Sequence, residues 1–81
     1  MPFNVEITEE LNILARYTLE TTQEGLKIHS TAEPNVIAAA QRLFDKGLIS
    51  QPDGGYLTDL GRKATEHAKD LLSIVAAEAL A

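Results

Sequence analysis

The amino-acid sequence predicts a small α+β domain that is mainly helical, in the order helix, strand, helix, β-hairpin and long helix. Three observations predict this class. Apolar residues recur at helical spacing in three segments, and a short segment that alternates apolar and polar residues lies between the first two. A cluster of Pro, Asp and Gly separates two short runs near the middle of the chain, which is typical of a hairpin loop. With 81 residues, we expect a single domain over 1–81.

The first helix is predicted over about 5–18. Asn4 suits the N-cap position, because its side chain can accept a hydrogen bond from the first helical turn. The core stripe follows at i, i+4, i+7 and i+8 and consists of Ile7, Leu11, Leu14 and Ala15. Ile13 and Tyr17 lie one turn apart on a different face, so a third element or a partner must cover them.

A short strand is predicted over about 26–29, and a second helix over about 34–46. Pro34 suits the first position of that helix, because its missing N–H is not needed there. Gly47 is expected to end the helix in a Schellman motif, with Leu48 folding back on Leu43. The predicted buried stripe consists of Val36, Ile37, Ala40, Leu43 and Phe44.

The hairpin is predicted over about 49–57, and Thr58 is expected to cap a last helix over about 59–79. The predicted core face of this helix consists of Leu60, Ala64, Ala68, Leu71 and Val75. A helix of this length spans roughly 30 Å, so its C-terminal turns are expected to extend beyond the core. A homodimer explains the apolar overhang, and folding back along the first helix is the alternative. The candidate interface residues are Ile13, Tyr17, Leu72, Val75, Ala79 and Leu80.

Two segments carry a resemblance to a known fold. Residues 43–49, Leu-Phe-Asp-Lys-Gly-Leu-Ile, and residues 53–62, Asp-Gly-Gly-Tyr-Leu-Thr-Asp-Leu-Gly-Arg, resemble the end of the recognition helix, the wing and the following helix of bacterial winged-helix regulators. The likeness covers 34 to about 72. The whole chain is also similar to a family of small bacterial proteins labelled DNA-binding proteins or transcriptional regulators. The resemblance implies a winged-helix-like fold and a role in transcription regulation.

The chain departs from the winged-helix pattern before Pro34. In a helix-turn-helix, two helices are joined by a turn of about three or four residues. Here only residues 30–33 separate the predicted strand from the second helix. We therefore expect the first helix of the helix-turn-helix to be absent or reduced to a turn. Two functions remain open: a DNA-binding regulatory module, and an acidic module for protein–protein interaction or dimerisation that does not bind DNA.

The charge pattern bears on this choice. The net charge of −5 opposes non-specific attraction to nucleic acid, whereas residues 26–63 carry five basic and four acidic residues, a formal +1. If the second helix faces DNA, its exposed edge consists of Asn35, Ala39, Arg42 and Lys46. Arg42 would then contact guanine and Asn35 adenine. The expected phosphate contacts are Lys27, Arg62 and Lys63.

No catalytic residue, metal site, cofactor or small-molecule substrate is predicted. The chain has no Cys and only two His, which are too few for a metal site. Gly54 and Gly55 precede a strand and do not open a helix, so they do not form a phosphate-binding loop. The sequence shows no signal peptide, and its longest apolar run, over 36–40, is too short to cross a membrane. We expect a cytoplasmic protein whose partners are a second copy, DNA or another protein.

Overall fold

The computed structural model describes residues 2–20 and 23–77. Three helices and one antiparallel sheet form a small α+β structure that is about 53% helical, which confirms the predicted class. The elements follow the predicted order and comprise α1 (Val5–Leu14), β1 (Leu26–Lys27), α2 (Pro34–Asp45), β2 (Ile49–Gln51), β3 (Gly54–Leu57) and α3 (Asp59–Val75).

The sheet has the order β1-β3-β2, so the second strand of the hairpin is central. Leu26 of β1 lies opposite Gly55, and Ile49 of β2 lies opposite Leu57. Gly54 has φ +125°, and a Cβ atom there would lie 2.2 Å from the carbonyl oxygen of Leu26. Only glycine therefore allows β1 to approach the hairpin this closely.

The end of α2 follows the predicted Schellman motif. Gly47 has φ +77° and donates its N–H to the carbonyl oxygen of Phe44 at 2.9 Å. The N–H of Leu48 donates to the carbonyl oxygen of Leu43 at 3.0 Å, and Leu48 packs against the core. Both hydrogen bonds of the motif are present, so local sequence determines where α2 ends.

Both predicted N-caps are also present. The Asn4 side chain accepts the N–H of Ile7 at 2.8 Å, and the Thr58 hydroxyl accepts the N–H of Gly61 at 3.0 Å. Helix α1 ends at Leu14, four residues before the predicted end, and α2 ends at Asp45. The predicted end of the last helix, near 79, lies outside the described residues.

Between β1 and α2 the chain forms a turn. Strand β1 ends at Lys27, two residues before the predicted end, and the N–H of Ala32 donates to the carbonyl oxygen of His29 at 2.9 Å. Within residues 28–33, all of which are described, no helix is present. The segment is therefore a turn, as its length predicts.

The core lies between the helices and the sheet and consists of Ile13, Leu14, Tyr17, Ile28, Ala39, Ala40, Leu43 and Ile49. Ile13 and Tyr17 are only 3% and 4% exposed, so their prediction as interface residues was wrong. The Tyr17 hydroxyl donates to the carbonyl oxygen of Gly55 at 3.2 Å, and Lys69 of α3 donates to the carbonyl oxygen of Tyr17. The sheet and α3 cover this face, as the alternative of a last helix folded back along the first requires, but the apolar C-terminal turns of α3 stay exposed, which that alternative does not predict.

Helix α3 is rotated relative to its predicted orientation. Its fully buried positions are Gly61 and Thr65, whereas Leu60, Leu71 and Val75 are 56%, 47% and 72% exposed. The prediction that Leu60, Leu71 and Val75 lie in the core was therefore wrong. A Cβ atom on Gly61 would lie 1.8 Å from the carbonyl oxygen of Leu48. Because only glycine permits this contact, Gly61 fixes which side of α3 faces the domain.

Candidate functional site

Helix α2 carries the residues that were expected to contact DNA. Ala39 is completely buried, and Ile37 and Phe44 of the predicted core stripe are 39% and 37% exposed. The helix is therefore rotated so that the edge predicted to face DNA packs towards α1.

An ionic cluster joins the two helices. We define the α1–α2 ionic cluster as Glu6, Glu9, Glu10, Asn35, Arg42 and Lys46. Arg42 Nε donates to Glu10 Oε2 at 2.8 Å, and Arg42 Nη2 donates to the carbonyl oxygen of Glu6 at 3.2 Å. Lys46 donates to the other carboxylate oxygen of Glu10. Glu10 thus accepts one hydrogen bond from each of two cations.

The cluster also fixes how the helices cross. Glu9 accepts a hydrogen bond from the Asn35 side chain, whereas the neighbouring Glu10 binds Lys46. Asn35 and Lys46 are separated by roughly 16 Å along α2. Consecutive residues of α1 therefore reach opposite ends of α2, which requires that α1 crosses α2 and does not run alongside it.

Glu10 is the most deeply placed charge of the cluster, with its side chain 7% exposed. Burial alone would raise the pKa of Glu10, but hydrogen bonds from Lys46 and Arg42 and the charges of both residues hold it below its ordinary value. The hydrogen bond to Glu10 in turn raises the pKa of Arg42. Glu10 and Arg42 are therefore charged at neutral pH, and Arg42 and Lys46 are both engaged by the Glu10 carboxylate.

The structure brings Asn35, Arg42 and Lys46 together on one edge of α2, where all three contact glutamates of α1. Asn35 and Lys46 are exposed, whereas the Arg42 side chain is only 28% exposed, and Glu6 and Glu9 add carboxylates at 3.9 and 3.8 Å from its guanidinium. The expectation that the whole edge is exposed was therefore wrong at Ala39 and Arg42. Sequence reasoning missed the three glutamates, although the acidic N-terminal segment and the basic edge of α2 form a visible pair of opposite charges.

The three residues that were expected to contact phosphates do not share one surface. Lys27 forms an ion pair with Asp53 of the hairpin loop and thereby lowers the pKa of Asp53. Arg62 donates to the carbonyl oxygen of Leu19 at 3.0 Å. Lys63 is exposed on α3 and forms no ion pair within the described chain. Each side chain has a different environment.

The C-terminal part of α3 exposes a continuous set of apolar side chains. We define the α3 apolar surface as Leu71, Leu72, Ile74 and Val75, which are 47%, 53%, 75% and 72% exposed. Two of the predicted interface residues, Leu72 and Val75, belong to this surface. Ala79 and Leu80 lie outside the described residues.

Comparison with known proteins gives one match. A family model described as "Family of unknown function (DUF5669)" matches residues 1–76. The chain belongs to this family. The match includes every helix and strand of the structure. No curated protein and no solved structure matches the chain.

One open groove lies beside α2 in this family member. It has a volume of about 420 Å³, and its lining includes Ile37 and Gln41 of α2, His29 of the turn, and Pro52 of the hairpin loop. Within residues 2–20 and 23–77, no group of three or more His, Cys, Asp or Glu side chains is arranged to hold a metal ion. In the same residues, no helix combines the length and apolar character needed to cross a membrane.

Proposed function

We propose that this family member is a winged-helix-like module that acts by binding another protein chain and does not read DNA with α2. The order of helices and strands, the short hairpin between α2 and α3, and the sequence resemblance over 43–62 support the winged-helix part. The turn over 29–33 takes the place of a complete helix-turn-helix.

The observation that carries the proposal is the α3 apolar surface. Single exposed apolar side chains are ordinary in soluble proteins, but contiguous apolar patches above a few hundred Å² usually mark an interaction site. The four side chains of this surface occupy adjacent turns of one helix, and each is between 47% and 75% exposed. Contact with a protein surface would remove them from water.

The α1–α2 ionic cluster supports the same choice. For Arg42 to contact a guanine, it must leave Glu10, whose side chain is 7% exposed and would keep only Lys46 as a partner. Removing one partner of a buried ion pair destabilises a protein by several kcal/mol, about 3–5 kcal/mol where both charges are fully buried. The carboxylates of Glu6 and Glu9 would also repel the phosphate backbone. Both effects oppose insertion of α2 into a DNA groove.

A DNA titration tests this choice between the two functions. The full chain is added to fluorescently labelled duplexes of mixed sequence at 50 and 200 mM salt, and anisotropy reports binding. We expect no saturable binding at micromolar protein. A protein that placed three cations on phosphates would lose roughly 40-fold in affinity between these salt concentrations.

Matched variants identify the surface if binding is seen. Arg42→Met removes a cation of the ionic cluster, and Lys63→Met removes an exposed cation of α3. Salt-dependent binding that Arg42→Met abolishes, at a temperature where circular dichroism shows that the variant is folded, would refute the proposal directly, because it would show that α2 does contact DNA. Salt-dependent binding that only Lys63→Met weakens would also refute it, since the module would then bind DNA through α3.

A further inference from the structure

We infer that the chain bound by α3 is a second copy of this protein, and that the two α3 helices pair antiparallel about a two-fold axis near His67. The inference rests on the proposed function as a protein-binding module. It specifies the partner, the residues in contact and the direction of the two helices.

Helix α3 carries an apolar stripe whose large members the domain leaves uncovered. Leu60, Leu71 and Val75 follow one another at i, i+11 and i+15 on one helix face, and Ala64 of the same face packs against the domain core. In the structure, Gly61 and Thr65 face the domain instead, and the large members of the stripe remain 47% to 72% exposed. Helix α3 therefore has one covered face and a second face with the pattern of a buried one.

The exposed apolar area of α3 is at the lower limit of what a specific interface needs. Together with Leu60, the α3 apolar surface exposes of the order of 500 Å² of apolar side chain, so a two-fold pair would bury at most roughly 1,000 Å² in total. Specific protein interfaces begin near 1,000–1,200 Å². The surface therefore suits a weak, reversible dimer, and a two-fold axis buries the same surface on both copies.

Charge and apolar surface match across an antiparallel pair. With the axis near His67, the exposed Leu60 lies opposite the exposed Ile74 of the partner subunit, so apolar side chains meet. Lys63 lies opposite Asp70 of the partner subunit, and symmetry repeats this ion pair. In a parallel pair with the same stripe in contact, neither Lys63 nor Asp70 meets an opposite charge. Charge complementarity therefore selects the antiparallel arrangement.

Cysteine crosslinking tests the geometry, because the chain has no native Cys. His67→Cys is expected to form a disulfide-linked dimer under mild oxidation, since the two positions meet at the axis. Leu60→Cys is expected not to, because the axis separates its two copies by about 21 Å along the helix, beyond the roughly 7 Å that a disulfide permits. Val5→Cys, at an exposed site on α1, measures random crosslinking.

Light scattering and sedimentation of the full chain at 10 and 200 µM test the association itself. We expect twice the monomer mass at the higher concentration. Lys63→Asp should weaken the dimer about tenfold, and the charge-swapped variant Lys63→Asp/Asp70→Lys should restore it. Val75→Lys should give a monomer, whereas Val5→Glu should not, although the two valines are 72% and 73% exposed. Both substitutions place a charge at the helix end that its dipole favours, so folding is retained.

The outcomes separate the two proposals. A wild-type monomer at 200 µM, or His67→Cys that crosslinks no faster than Val5→Cys, overturns the second copy as partner. Equal crosslinking of His67→Cys and Leu60→Cys overturns the antiparallel direction and indicates a parallel pair. If the monomer also fails to bind DNA, the protein-binding function stands with a different partner, whereas salt-dependent DNA binding overturns the function itself.

Discussion

Substitution of Arg42 provides the most direct test of the contact between α1 and α2. Arg42→Met keeps much of the side-chain volume and removes the charge that lies 2.8 Å from Glu10. The Glu10 carboxylate, 7% exposed, then keeps only Lys46 as a cationic partner. The repulsion among Glu6, Glu9 and Glu10 also loses its main compensating charge.

The expected loss of stability depends on how deeply Glu10 and Arg42 are each buried. Breaking a fully buried pair destabilises by about 3–5 kcal/mol, but Lys46 remains bound to Glu10 and the Arg42 side chain is itself 28% exposed. We therefore expect Arg42→Met to lower the free energy of unfolding by about 2–3 kcal/mol, a fall in melting temperature of roughly 10–20 °C for a domain of this size. Glu10→Gln should lower it by about 1–2 kcal/mol, because the freed cations can turn towards water.

Urea and thermal denaturation followed by circular dichroism measure these changes. Lys27→Met is the matched control, since it removes the cation of an ion pair whose side chains are 65% and 41% exposed, and it should change stability by less than about 1 kcal/mol. The double variant Glu10→Gln/Arg42→Met should be more stable than the sum of the single losses predicts, by about 1–2 kcal/mol. If Arg42→Met destabilises no more than Lys27→Met, Arg42 is not held by Glu10 and the case against a DNA-reading α2 fails.

Three further predictions concern single positions. Gly61→Ala should destabilise the protein by more than about 2 kcal/mol in urea denaturation, because the added Cβ atom would meet the carbonyl oxygen of Leu48. Gly47→Ala, where a Cβ atom meets no neighbour within 4 Å, should lose only about 1 kcal/mol because of its positive φ. Equal losses would contradict the close contact at Gly61. Thr65→Val should raise the free energy of unfolding by about 1 kcal/mol, and the melting temperature with it, since the Thr65 hydroxyl is buried and has no hydrogen-bond partner among the described residues. A lower melting temperature would show that the hydroxyl is satisfied. The pKa of Glu10 in the folded protein lies below its ordinary value of 4.5, so its ion pairs stabilise the protein above about pH 4.5 and are lost as the pH falls through the folded value. The Glu10→Gln variant should therefore lose less stability than the wild type between about pH 5 and 3. Identical acid titrations of the two proteins would refute this.

The features that sequence reasoning predicted correctly depend on neighbouring residues. Asn4 caps α1, Thr58 caps α3 and Gly47 ends α2, and the hydrogen bonds of these caps join residues three to five positions apart. The four-residue limit on the segment before α2 likewise follows from counting along the chain. Such features need no knowledge of how the helices pack, so they can be read from the sequence alone.

The candidate site was predicted only in part, because its composition depends on helix orientation. Asn35, Arg42 and Lys46 do share one edge of α2, as their spacing predicts. What they face depends on the angle at which α1 crosses α2. Ala39 is completely buried and its neighbour Ala38 is exposed, and nothing in the sequence distinguishes the two. The pairing with α1 therefore requires the tertiary structure.

Helix α3 shows why apolar periodicity can identify a real buried face and still misplace it. The pattern selects Leu60, Leu71 and Val75, yet the positions of α3 that are buried against the domain are Gly61 and Thr65, which carry little or no apolar surface. The contact of Gly61 with the backbone of Leu48 restricts the orientation of α3 more strictly than the apolar stripe does. The helix is therefore rotated by one residue relative to the predicted orientation. On the proposal that two α3 helices pair, the stripe is buried after all, between two chains. The apolar pattern of α3 then identifies the face that is buried between the two chains, whereas Gly61 determines the face that packs within each chain.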